Sequence, residues 1–254
     1  MANPACGTSG VKGDGELMIW DWNIVKDVFP LIFRAMWLTL GLTLACYAVS
    51  LVLGIIWTLL RRAPWAWFRW TVNGVLEFIR STPPLVQLYF LFYAWPLVPH
   101  VGVTLSPIAA AIIGLGVHYS TYTSEVYRSG IDAVDKGQWE AALALNFSRA
   151  RTWTKVILPQ AIPPIIPMLG NYLIIMFKEI PTTASIGVMG MMLTAKMYGA
   201  QHWVYLEPFT IVAFFFLLLS YPSSLFVQWL EKKMNRRFDK NEVLHEAKQK
   251  GVVV

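Results

Sequence analysis

Ala35-Met36-Trp37-Leu38-Thr39-Leu40-Gly41-Leu42-Thr43-Leu44-Ala45-Cys46-Tyr47-Ala48-Val49-Ser50-Leu51-Val52-Leu53-Gly54-Ile55-Ile56-Trp57-Thr58-Leu59-Leu60 contains no charged side chain. A helix crosses the hydrocarbon of a bilayer with about 20 consecutive apolar residues, and this run is longer. Arg61-Arg62-Ala63-Pro64 closes it. Working outward, further charge-free runs cover Ser81 to Ser124, Val156 to Phe177 and Pro208 to Leu230. The 254-residue chain is 56% hydrophobic and 14% charged, with a mean hydropathy of +0.49. Soluble domains carry about 25% charged residues. A soluble globule and a disordered chain are both excluded. Two cysteines, Cys6 and Cys46, exclude a disulfide scaffold and a cysteine-based zinc cluster. Cys46 lies within an apolar run and reads as a small buried side chain.

The pattern predicts an all-α integral membrane protein with five spans, over Leu31–Leu60, Thr71–Trp95, Pro107–Tyr127, Ile162–Val188 and Pro208–Leu230. Pro30, Pro107 and Pro208 stand at predicted helix starts, where a missing N–H costs little. Pro83 and Pro84 fall inside the second span and should kink it. Pro163, Pro164 and Pro167 make the entry to the fourth irregular. Residues 1–18 read as a polar, disordered leader, with Met18 as an alternative start. Residues 19–230 form the membrane domain and 231–254 a basic tail.

Cations orient the chain. Fifteen Lys and Arg residues fall on one side, in the loops after the first and third spans and in the tail. Lys12, Lys26 and Lys196 fall on the other, with Arg34 at the boundary. The basic side is therefore expected in the cytoplasm, with the N-terminus outside and the C-terminus inside. An odd span count satisfies this. The net charge of +6 sits between and after the apolar runs, which argues for a lipid bilayer as the partner and against nucleic acid.

The loop 128–160 is long for a connector. Within it, Gln138 to Leu145 forms a short helix rich in Ala and Leu. Trp139, Ala142 and Leu143 share a face, joined by Phe147 one turn on. Such a stripe can pack on the protein's own spans or enter a partner's groove.

Glu140-Ala141-Ala142, Leu145-Asn146 and Val156-Ile157-Leu158-Pro159 resemble the EAA loop of ABC importer permeases. That pattern is Glu-Ala-Ala, three residues, Gly, nine residues, Ile-x-Leu-Pro. Asn146 holds the Gly position and Val156 the Ile position. Asn is the residue next best able to adopt positive φ. Glu77-Phe78-Ile79-Arg80-Ser81-Thr82-Pro83, Leu85-Val86-Gln87-Leu88 and Glu125-Val126-Tyr127-Arg128-Ser129-Gly130 are similar to the polar amino acid uptake branch. Within it, His118-Tyr119-Ser120, Gly137-Gln138-Trp139-Glu140-Ala141-Ala142 and Tyr205-Leu206-Glu207-Pro208 resemble ectoine and hydroxyectoine uptake permeases.

The resemblance implies a non-catalytic permease subunit with the type I ABC importer fold, in a bacterial inner membrane. It implies as partners two ATP-binding subunits, a second permease, and an extracytoplasmic solute-binding protein. The cargo would be a small polar solute, an amino acid or an ectoine-like compatible solute. ATP and Mg would sit on the partner ATPase, and no cofactor on this chain. Consistently, the sequence lacks Gly-x-x-x-x-Gly-Lys-Ser/Thr. Gly137, Glu140, Ala141, Ala142, Leu145, Asn146, Leu158 and Pro159 would belong to the ATPase-coupling segment. Glu140 would either pair with a basic group on the ATPase or cap the helix start.

Ionisable groups inside a membrane are costly and call for a role. Glu77 with Arg80, and Glu125 with Arg128, are spaced to pair along a helix surface. Lys178 and Glu179 fall in the middle third of the fourth span, either lining the translocation path or pairing to order a kinked helix. Gln87, His118, Ser120, Thr123 and Thr182 are further candidates for the path, with His118 also readable as a hydrogen-bonded core residue. An ion-coupled secondary transporter acting without an ATPase is the alternative function, which the loop 128–160 disfavours. No nucleophile or metal constellation supports an enzyme.

Overall fold

The computed structural model describes residues 20–249, with side chains through residue 234. The expected leader at 1–18 and the alternative start at Met18 lie outside the described residues. In chain order the helices are α1 (Trp22–Leu60), α2 (Ala66–Ser81), α3 (Pro84–Tyr89), α4 (Pro107–Asp132), α5 (Lys136–Ala144), α6 (Arg149–Thr152), α7 (Leu158–Glu179), α8 (Met191–His202) and α9 (Leu206–Gln249). No strand occurs among the described residues.

Several boundaries differ from expectation. α1 begins at Trp22, because Asp21 accepts a hydrogen bond from the Asn23 amide at 2.8 Å and caps the helix there. Pro30 therefore lies inside α1 and not at its start. The second predicted span is not one helix. α2 stops at Ser81, Thr82 and Pro83 are extended, and α3 restarts at Pro84. A π-helical turn (Phe90–Ala94) and a 3₁₀ turn (Trp95–Leu97) follow. α7 ends at Glu179, and a 3₁₀ segment, Ile180–Ile186, leads to α8, a helix that the apolar pattern did not single out. α9 runs well past Leu230, since helix-forming residues replace the apolar ones without a breaker.

Among the described residues, three segments qualify by length and composition to cross a membrane: Trp22–Leu60, Arg149–Ile186 and Leu206–Met234. α4 has 26 residues, but its Ser and Thr content is high. The hydroxyls of Ser120, Thr123 and Ser124 face α1. Cys46, Ser50, Gly54 and Thr58 are spaced by four along α1; Cys46 Sγ donates to the Ala111 carbonyl of α4, and Ser50, Gly54 and Thr58 meet Ser120, Thr123 and Ser124. Thr123 Oγ1 donates to the Ser50 carbonyl at 2.8 Å, Trp57 Nε1 donates to Ser120 Oγ at 3.0 Å, and Thr58 Oγ1 donates to the Ser124 carbonyl at 3.2 Å. Small residues let two membrane helices approach, and hydroxyls then satisfy one another. A Cβ on Gly54 would overlap the Thr123 hydroxyl, and one on Gly116 would lie 2.7 Å from Val49 Cγ1.

Two apolar cores flank the seam. One joins Leu42 and Cys46 of α1, Leu88 of α3, Ala111 and Leu115 of α4, Met176 of α7 and Ile186 of the 3₁₀ segment. The other joins Val28, Ile32 and Met36 of α1 with Met191 and Ala195 of α8 and Val212 and Phe215 of α9. At the N-terminal end of α1, the buried carboxylate of Glu207 accepts the Asp21 amide at 3.0 Å and ties α9 to α1.

Ion pairs close the other end, where the predicted pairs form as parts of a larger network. Glu125 accepts from Arg61 at 2.7 Å, from Arg128 at 2.8 Å and from Arg80 at 3.1 Å. Arg80 also meets Glu77 at 3.0 Å, and Asp132 meets both Arg62 and Arg128. One carboxylate thus joins α1, α2 and α4.

The seam predicts an asymmetry between two glycines of α1. Gly54→Ala should cost about 1–3 kcal/mol through overpacking and lower the melting temperature of the detergent-solubilised protein. Gly41→Ala, where no atom lies within 4 Å of a new Cβ, should leave it unchanged or slightly raised. Equal melting of the two variants would show that the seam does not limit stability.

Candidate functional site

α5 stands apart from the spans, between α4 and α7. Asp135 caps it, accepting from the Gly137 amide at 2.7 Å. Glu140 is exposed and takes no part in that cap, which corrects the capping role weighed for it. Asn146 ends the helix at φ 53°. The Phe147 amide donates to the Ala142 carbonyl at 3.0 Å, and the Asn146 amide to the Leu143 carbonyl at 2.9 Å. This is the Schellman pattern, which requires a left-handed residue at the position that Asn146 fills. The chain then turns into α6, capped by Ser148, and through a π-helical turn (Trp153–Ile157) into α7.

One face of α5 is braced against the protein. Ala142 is 2% exposed. Trp139 packs edge-on against Trp153 at 5.3 Å, over a small core of Val134, Ile157 and Ala161. Gln160 Nε2 donates to Gln138 Oε1 at 3.2 Å, and Arg151 stacks over Phe147 at 4.4 Å. The predicted stripe is only partly right. Leu143 is 75% exposed, because it is rotated about 100° from Ala142. Leu145 is 68% exposed. Glu140, Ala141, Leu143 and Leu145 thus present a surface that no described residue covers, while Ala142 faces inward. Leu158 is half-buried and Pro159 exposed in the first turn of α7, where a proline is tolerated.

The path candidates separate into two groups. Ser120 and Thr123, both 0% exposed, belong to the α1–α4 seam, and their hydroxyls are occupied there. Gln87 Nε2 donates to the Ile79 carbonyl at 2.7 Å and to the Thr82 carbonyl at 3.3 Å. These carbonyls are freed where the helix breaks at Pro83–Pro84, so Gln87 stitches α2 to α3. Sequence reasoning missed this role because it depends on the break.

Of the remaining candidates, Lys178, Glu179 and Thr182 lie at the α7 terminus, and His118 lies within α4. Lys178 and Glu179 end α7 and do not sit in the middle of a longer helix, because the 3₁₀ segment begins at Ile180. Among the described residues they form no ion pair with each other. Lys178 is exposed and Glu179 half-buried. Thr182 Oγ1 donates to the Glu179 carbonyl at 2.7 Å, and Tyr93 O–H to the Ser185 carbonyl at 3.2 Å. His118 is buried, with Tyr119 at 5.3 Å and Tyr122 at 5.4 Å, and Tyr122 meets Tyr172 of α7 at 5.7 Å. His118 Nδ1 has no hydrogen-bond partner among the described residues.

Residues 50–236 match the family of binding-protein-dependent transport system inner membrane components. The chain is 37% identical over 225 residues to a probable amino-acid ABC transporter permease of Sinorhizobium fredii, covering 89% of this chain and 94% of that one. It is 31% identical to an L-cystine transport system permease of Bacillus subtilis, covering 85% of this chain and 92% of that one. Among solved structures, one described as an amino acid ABC transporter with histidines is 29% identical, with a TM-score of 0.78, covering 85% of this chain and all of that one.

The Schellman turn predicts an order among variants at position 146. Asn146→Gly should be neutral or stabilising, whereas Asn146→Val should cost on the order of 1–3 kcal/mol of local stability. Hydrogen exchange of the amides over 137–147 reads this. Equal protection in the two variants would contradict the turn.

Proposed function

The chain belongs to the binding-protein-dependent transport system inner membrane component family, and we propose that it is the permease subunit of an ABC importer, carrying a small zwitterionic solute into a bacterial cytoplasm. Five membrane crossings, with the basic end of α1 and α4 in the cytoplasm, complete the reading. α2–α3 and α4 supply the crossings that are not continuous apolar helices. Two ATP-binding subunits and an extracytoplasmic binding protein are its partners, and a second permease copy or a related permease completes the membrane unit. ATP and Mg belong to the ATPase.

The observation that carries this reading is the two-sided α5. Its inner face is buried at Ala142 and, through Trp139, packs with Trp153 over the small core of Ile131, Val134, Ile157 and Ala161, which joins the end of α4 to the start of α7. Its outer face offers Leu143 and Leu145 with Glu140 beside them. A lever needs both: a rigid joint to the membrane helices and an apolar tip that enters a partner's cleft. ATPase closure that moves α5 moves α4 and α7 with it, and those helices carry His118, Tyr119, Tyr122 and Tyr172. Lys178, Glu179 and Thr182 stand where α7 gives way to the 3₁₀ segment, and we assign them to the path. The amino-acid permeases among the relatives favour an amino acid as cargo. An ectoine-like compatible solute is the finer reading that the residues 118–120 and 205–208 suggest.

Leu143→Asp changes only the outer face. In proteoliposomes containing the whole complex, it should lower both uptake and substrate-stimulated ATP hydrolysis by about tenfold or more, as loss of a central interface anchor does. Membrane insertion and melting should stay near wild type. Full activity in this variant would remove the coupling role of α5. Transport by the chain without an ATPase would instead favour the ion-coupled alternative.

A further inference from the structure

The basic end of the helix bundle contains a cleft of about 260 Å³, lined by Thr58, Arg61, Arg62, Asn73, Arg128 and Asp132. It lies between the last turn of α1, the middle of α2 and the last turns of α4. The surrounding carboxylates hold its three guanidiniums in place without using all their donors. Arg61 donates from Nε to Asn73 Oδ1 and from Nη1 to Glu125. Arg62 donates from Nη2 to Asp132. Arg128 donates from Nε to Glu125 and from Nη1 to Asp132. Each guanidinium has five N–H donors in a rigid fork. Among the described residues, Nη2 of Arg61, Nη2 of Arg128, and both Nε and Nη1 of Arg62 have no partner. Glu125 is shared with Arg80 as well, so the network is cationic on balance.

Its depth is set by tryptophans. Trp65, Trp67 and Trp70 are 64%, 70% and 81% exposed, in the turn and helix that follow Arg61-Arg62. Exposed Trp in a membrane protein collects at headgroup level. Trp70 and Asn73 are one turn apart on α2, so the cleft opens beside this aromatic band. Fixed guanidinium forks recognise phosphate oxygens, and rings at the same level flank acyl chains.

We propose that this cleft binds the phosphate of an anionic phospholipid headgroup in the leaflet at the basic end. A free phosphate ion would meet the same donors, but it makes no use of the tryptophan band. The inference rests on the membrane-spanning reading and not on the importer reading.

The test uses the assembled complex in phosphatidylcholine nanodiscs, titrated with phosphatidylglycerol. Native mass spectrometry counts retained lipid, and melting reports stabilisation. The wild type should retain a saturable phosphatidylglycerol that millimolar inorganic phosphate does not displace. Arg62→Gln should weaken that retention about fivefold, since one arginine near an anionic surface is worth about 1 kcal/mol. Arg62 has a single carboxylate partner, lies over Trp153 at 5.8 Å and stands outside the Glu125 hub, and the melting of the variant reports that it folds. The wild-type titration needs no variant at all. Equal retention of phosphatidylcholine and phosphatidylglycerol would overturn the site. Displacement by inorganic phosphate would overturn the lipid assignment in favour of a free anion. Uptake is measured on the same complex reconstituted in proteoliposomes of matching lipid composition. A complex that transports without lipid preference sinks the lipid site alone, and one that binds phosphatidylglycerol without transporting sinks the importer reading alone.

Discussion

The structure depends on the close approach of α1 to α4. Over the half of the contact nearer Arg61, small residues and hydroxyls take the place of large apolar side chains. Ser50, Gly54 and Thr58 face Ser120, Thr123 and Ser124, and the backbones come near enough for Thr123 to reach the Ser50 carbonyl. In hydrocarbon a hydroxyl without a partner is costly, and apolar contact with lipid competes with apolar contact between helices. Small size and mutual hydrogen bonding are what remain to distinguish protein from lipid. With the seam set, both apolar cores have a fixed wall, and the end of α4 brings Glu125 to Arg61 and Arg80.

That convergence explains how the bundle ends. Three arginines from different parts of the chain meet one partly exposed carboxylate, and Asp132 holds two more contacts. Exposed ion pairs contribute little singly. A shared network of forks fixes relative helix position more than it adds stability. It also leaves guanidinium donors pointing at the cleft between the same helices.

α5 combines fixation and exposure within nine residues. The Asp135 cap and the Asn146 turn define both its ends. Trp139 packs it onto the π-helical turn before α7, against Trp153 and beside Ile157. The proposed force path then runs from the exposed Leu143 along α5 to Trp139, and through Trp153 to the start of α7.

Much of this was legible in the residues. Charge-free runs announced an all-α membrane chain, because the bilayer demands long apolar helices with internal hydrogen bonds. The Glu140-Ala141-Ala142 loop pointed to the family, and Asn146 at a glycine position pointed to positive φ, which the backbone adopts. Local spacing also gave the Glu77–Arg80 and Glu125–Arg128 pairs. Tertiary structure alone decided the rest. Ser120 and Thr123 look like path residues along α4 but face α1, since a helix shows its neighbour only some of its sides. Gln87 serves a helix break, and Leu143 turns outward because Ala142 turns inward. Glu125 gathers Arg61 and Arg80 from far along the chain. Periodicity along one helix records which residues share a face; which face meets another helix is settled by packing, and that requires both helices at once.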